Sequence, residues 1–73
     1  MRMTQKELIL EYLARFKSIT PMDAFNDLGI TKLSTRISEM EQDGIHFKHI
    51  RESSKNRFGK TVNYMRYERE ETL

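Results

Sequence analysis

The sequence predicts an α+β domain in which three short helices precede an antiparallel ribbon of two or three strands. Three observations carry that prediction. Apolar residues recur at helical spacing from Leu8 to Phe16 and again from Leu33 to Met40. Thr20-Pro21 and Gly29 bracket a further short helix between those two segments. From His46 onward the pattern turns extended and basic, with Asn and Gly near its middle.

Each element has its own signal. Thr4 followed by Glu7 is a capping-box pattern and starts a first helix over residues 5–17. Leu8, Ile9, Tyr12, Leu13 and Phe16 form its apolar face. Ser18-Ile19-Thr20 is short and β-branched, and is expected to pair with the ribbon. The second helix covers 21–28. Thr20 caps it, Pro21 fits its first position, and Asp23 meets its free N–H groups. Met22, Ala24, Phe25 and Leu28 are its expected buried side, and Gly29 ends it. Ile30 is an apolar plug between helices.

The third helix covers 32–43, capped by Thr31, or by Ser34 if it starts later. Leu33, Ile37 and Met40 face the core, Gly44 closes the helix, and Ile45 packs behind it. A strand at 46–52, a turn at 53–60 and a strand at 61–69 complete a hairpin. The expected organisation is one domain over 1–69 with a polar tail at 70–73. Helix, turn, helix, then basic ribbon is the order of a winged helix-turn-helix: a three-helix bundle with a C-terminal β wing.

Composition narrows the class. The 73 residues suffice for one domain, and the absence of cysteine excludes disulfides and thiolate metal sites. No apolar run approaches the roughly 20 residues needed to span a bilayer. The opening MRMTQKEL lacks the apolar core of a signal peptide, so no membrane association and a cytoplasmic location are expected. Net charge is only +2, so distribution matters more than the total. From His46 to Lys60 five cations face one anion, giving +4 with histidine neutral. Residues 40–44 carry −2, and residues 68–73 carry three Glu against Arg69, again −2.

Catalysis finds little support. His46 and His49 are three apart, which on a strand puts them on opposite faces and argues against a shared metal. There is no phosphate-binding G-x-x-x-x-G-K-[ST] loop and no G-x-S-x-G elbow. The expectation is a non-enzymatic protein with no metal and no cofactor.

Nucleic-acid binding is better supported. With Leu33, Ile37 and Met40 inward, Thr31, Thr35, Ser38 and Gln42 point outward, flanked by Ser34 and Glu39. This face is small, polar and hydroxyl-rich in its first half, which suits phosphates and base edges. Lys32 adds charge at the helix start, where free N–H groups favour an anion. Arg36 reaches either a phosphate or an internal acid such as Asp43 or Asp23. Lys55, Asn56, Arg57 and Lys60 cluster at the turn, where a basic tip straddles the backbone or enters the minor groove. Phe58 either folds back to cap the hairpin or acts as a wedge or stacking group.

The segment LSTRISEMEQDGI looks like the third helix and exit of many winged-helix regulators. More specifically, the strings TQKELILEYL, SITPMDAFNDLGITKLSTRISEMEQDG and KNRFGKTVNYMRY resemble the small phage and prophage helix-turn-helix domain family. The resemblance runs from Thr4 to Tyr67, and NRFGK is its most specific element. It implies a winged-helix fold and DNA binding in phage or mobile-element regulation. By position it places Ser34, Thr35, Arg36 and Ser38 in the recognition helix, and Asn56, Arg57 and Lys60 in the wing. One departure is the acidic end of helix 3 (Glu39, Glu41, Asp43), which directs DNA to the helix's first half.

The expected function is therefore sequence-specific double-stranded DNA binding by a phage or prophage transcriptional regulator in a bacterial cytoplasm, associated with the nucleoid. One such domain reads only a short site, so specificity calls for a homodimer or cooperative oligomer on DNA. Two alternatives share the scaffold. One is an excisionase-like factor that bends DNA. The other is a protein-interaction module docking on an integrase, a polymerase or a host factor.

Overall fold

The computed structural model describes residues 3–70. In chain order the elements are α1 (Gln5–Phe16), β1 (Ser18–Ile19), α2 (Pro21–Asp23, continued by a π-helical turn at Ala24–Leu28), α3 (Leu33–Gln42), β2 (Phe47–Lys55) and β3 (Thr61–Arg69). The sheet is antiparallel with order β1-β3-β2. The short strand expected after the first helix does join the ribbon: Ser18 pairs with Glu68 and Ile19 with Tyr67.

Local chemistry sets the helix starts. Thr4 Oγ1 accepts from the Glu7 N–H at 3.2 Å, and the Thr4 N–H donates to Glu7 Oε1 at 2.9 Å. Thr20 and Asp23 repeat the box at 3.1 and 3.0 Å. Thr20 is buried, so this reciprocal pair also satisfies polar atoms that water does not reach. The first helix stops one residue earlier than expected, because Lys17 adopts a left-handed φ of 73° as its cap.

Every helix and all three strands supply the core. Ile9, Ile19, Ile30, Ile37 and Met40 are fully buried, joined by Leu13, Ala24, Leu33, Phe47 and Tyr67. Each large side chain contributes roughly 1.5–3 kcal/mol by leaving water. Ile30 is the plug its position suggested, and Ile45 packs against the cluster from the exit of α3.

Three apolar residues expected inside are outside. Met22 is 65%, Phe25 56% and Phe16 62% exposed. The second helix is about two turns long and touches the core only through Ala24 and half-buried Leu28. At about 100° per residue, Phe25 lies roughly 80° from the midpoint of those two, and Met22 lies nearly opposite. Phe16, in the last turn of α1, leans instead on the Tyr12 ring, with centroids 4.6 Å apart.

The ribbon is longer than expected and its turn shorter. Ser53, Ser54 and Lys55 continue the ladder, pairing with Asn63, Val62 and Thr61, so the turn comprises residues 56–60. A ladder needs only backbone groups, and polar side chains are tolerated where both faces meet solvent. His46 precedes β2, and its carbonyl accepts from the Glu70 N–H at 2.8 Å. Residues 71–73 of the expected tail lie outside the described residues.

At its base the ribbon is tied down. Phe47 and Tyr67 are buried, and Arg66 donates to Glu52 Oε1 at 2.9 Å and to Ser18 Oγ at 2.8 Å. One guanidinium thus links all three strands.

Candidate nucleic-acid interface

The start of α3 differs from the other two helix starts. Neither Thr31 nor Ser34 caps it; Lys32 holds the cap position with no side-chain bond to the helix. Thr31 lies one residue before the cap position and Ser34 two residues after it, and neither side chain caps the helix. Those N–H groups and both hydroxyls stay available to a ligand. Thr31, Lys32, Ser34, Thr35 and Ser38 are all exposed along this half of the helix.

Arg36 behaves differently. It is half-buried, and Nη1 donates to Glu39 Oε1 at 2.8 Å rather than to Asp43 or Asp23. Its Nε is buried without a partner. The residue is therefore anchored along the helix and not extended outward.

The acidic second half of α3 is internally paired. Lys6 Nζ stands 3.7 Å from both Glu39 and Asp43, and His49 Nε2 is 2.8 Å from Glu41 Oε2. His49 also packs edge-on against Tyr67 across the ladder. Such surface pairs stabilise little, but Lys6 offsets part of the negative charge that a phosphate backbone would meet. Sequence spacing does not reveal Lys6, because its partners lie more than thirty residues away.

Beyond the tied base, every residue from Ser53 to Asn63 is exposed. This distal ribbon carries Lys55, Arg57 and Lys60 and no acid. Among the described residues no ion pair involves these three or Lys32. The turn is built by Asn56. Its Oδ1 accepts from the N–H groups of Phe58 at 2.9 Å and Lys60 at 3.1 Å. Its own N–H donates to the Lys60 carbonyl at 2.9 Å, and its carbonyl accepts from Gly59 at 3.0 Å. Gly59 supplies the required left-handed φ of 78°. Asn56 thus shapes the tip, while Lys55, Arg57 and Lys60 carry its charge. Phe58 does not fold back over the hairpin; it is 87% exposed.

A groove of about 480 Å³ lies elsewhere, between α1 and the π turn, lined by Leu8, Tyr12, Phe16 and Leu28 among others. Tyr12 Oη donates to Asp27 Oδ2 at 2.7 Å across it. That bond, more than burial, pushes the phenol pKa up to about 12. Among the described residues no three His, Asp or Glu side chains cluster as a metal site, and no helix is long and apolar enough to cross a membrane.

An uncapped helix start on a three-helix bundle, with a basic ribbon projecting beside it, defines a winged helix-turn-helix protein of the DNA-binding class. The comparisons agree with that geometry: a family model described as "Winged helix-turn-helix domain" matches residues 4–68, and the chain belongs to that family. Domains of this kind are typically non-enzymatic DNA-binding modules. No curated protein and no solved structure matches the chain.

Proposed function

We propose that this protein binds double-stranded DNA sequence-specifically and acts as a transcriptional regulator of phage or prophage in the bacterial cytoplasm, on nucleoid DNA. The observation that carries the proposal is the distal ribbon: every residue from 53 to 63 is exposed, and the segment holds no acid and three cations without an ion pair among the described residues. A segment outside the core cluster with one sign of charge is suited to a polyanion. In this reading the first two turns of α3 enter the major groove. Thr31, Lys32, Ser34, Thr35 and Ser38 meet phosphates and base edges. Lys55, Arg57 and Lys60 hold the adjacent backbone or minor groove. Arg36 and Asn56 shape these surfaces from behind.

The phage assignment draws on the sequence resemblance, above all the NRFGK string at the tip. Two copies on adjacent half-sites would supply the specificity that one short domain lacks. Selection of bound duplexes from a random pool tests the proposal. Recovery of a consensus, with loss of binding by the Ser34→Ala and Thr35→Ala pair, supports it; a pool that stays random counts against specific recognition.

A protein-interaction role has one observation of its own. The groove beside α1 has exposed Phe16 at its edge, an apolar surface that the core leaves uncovered. Capture of an integrase, polymerase or host factor that survives nuclease treatment and is lost in Phe16→Glu would favour that reading.

A further inference from the structure

We propose that Phe58 is a wedge: it enters the minor groove, partly unstacks one base-pair step and kinks the duplex. This deepens the DNA-binding reading and rests on it. Phe58 is the most exposed large apolar residue among those described, at 87%. Its position in the turn makes no demand for an aromatic ring, since the turn is held by Asn56 and Gly59. A polar residue would serve the turn equally well and would avoid the exposed apolar area.

The turn that carries the ring is closed by hydrogen bonds. Phe58 donates its backbone N–H to Asn56 Oδ1, and the same oxygen holds Lys60. The ring is therefore presented from a hydrogen-bonded turn, so less backbone ordering is left to occur on insertion. It is also surrounded by the right charge. Lys55, Arg57 and Lys60 lie within three residues of it, and no acid occurs from Ser53 to Tyr67. An apolar tip ringed by unpaired cations fits a surface that is anionic outside and apolar within. Stacked bases between two phosphate backbones have that layout. The minor groove, about 6 Å wide, admits a tip side chain while the flanking cations reach the phosphates at its rims. Apolar wedges of this kind open a base step and bend DNA by roughly 20–90°, most easily at flexible pyrimidine–purine steps.

The test uses the full chain and a duplex recovered by selection, with 2-aminopurine placed at each pyrimidine–purine step and a donor–acceptor dye pair on the ends. The wild type is expected to raise 2-aminopurine fluorescence at one step and to shorten the end-to-end distance. Phe58→Ala should still bind through Arg57 and Lys60 but lose both signals, and Phe58→Leu should keep most of them. Circular dichroism of the variants checks that the fold is unchanged. Binding by the wild type with no fluorescence rise and no bend overturns the wedge and leaves DNA binding intact. Equal signals from Phe58→Ala overturn it as well. Failure of the wild type to bind any duplex overturns both readings. Binding to phosphatidylserine vesicles that depends on Phe58, with no effect on DNA, assigns the tip to a membrane and overturns the wedge.

Discussion

The two ends of one β-ribbon differ more than any two helices of this protein. At the base, Phe47 and Tyr67 are buried and Arg66 joins three strands through Glu52 and Ser18. At the tip, from Ser53 to Asn63, nothing is buried and no charge is paired among the described residues. Both halves share one uninterrupted ladder from Phe47↔Arg69 to Lys55↔Thr61. Backbone pairing alone therefore extends the ribbon, and side chains decide what each end is for. The base is held by the core; the tip is held only by its ladder and by Asn56.

The largest expected effect on stability comes from the buried core on which the ribbon's base rests. Ile37→Ala empties a fully buried site in the core cluster and should cost about 2–5 kcal/mol. That is a large share of the about 5–15 kcal/mol typical of a whole domain. Val62→Ala, in the distal ribbon, should change stability by less than about 0.5 kcal/mol. Urea denaturation of both variants measures the contrast, and equal losses would mean that the tip is part of the packed structure.

A smaller effect is expected at the buried cap. Thr20→Ala removes the acceptor for the Asp23 N–H beside the β1–β3 pairing and should cost about 0.5–2 kcal/mol in the same assay. Arg57→Ala with Lys60→Ala should leave the thermal midpoint nearly unchanged, since among the described residues neither side chain has an ion-pair or hydrogen-bond partner to lose.

The smallest effect concerns pH. Donation to Asp27 holds the Tyr12 phenol protonated up to about pH 12. Its folded pKa is raised, so the stability it contributes is complete below about pH 10 and is lost as pH rises toward the folded value. Tyr12→Phe should flatten that alkaline decline. Denaturation midpoints followed across this window, alongside a spectroscopic titration of tyrosinate, check the sign.

Most of the helical part was legible in the sequence because periodicity and capping are local signals. Thr4 with Glu7, Thr20 with Asp23, and the Leu33–Ile37–Met40 stripe each predict their element from neighbours within one or two turns. Burial on α2 was misread because a short helix touching a small core has room for Ala24 and Leu28 but not Phe25 or Met22. The interface was legible only in part. Hydroxyls at the start of α3 and cations at the tip could be seen, but their freedom depends on what does not reach them. The capping role expected of Thr31 or Ser34 failed on a shift of one residue in helix start. Lys6 beside Glu39 and Asp43, and Arg66 across to Ser18, are products of tertiary folding that no spacing announces.

The central claim is that the distal ribbon exists to meet phosphates. Its most direct test is the salt dependence of duplex binding for the wild type and for Arg57→Ala with Lys60→Ala. Each phosphate contact contributes about 0.9 to the slope of log affinity against log salt. The wild type is expected to show a steep negative slope and the double variant a slope shallower by about 2, with circular dichroism checking that its fold is intact. An identical slope in the two proteins, or no duplex binding at low salt, would contradict it.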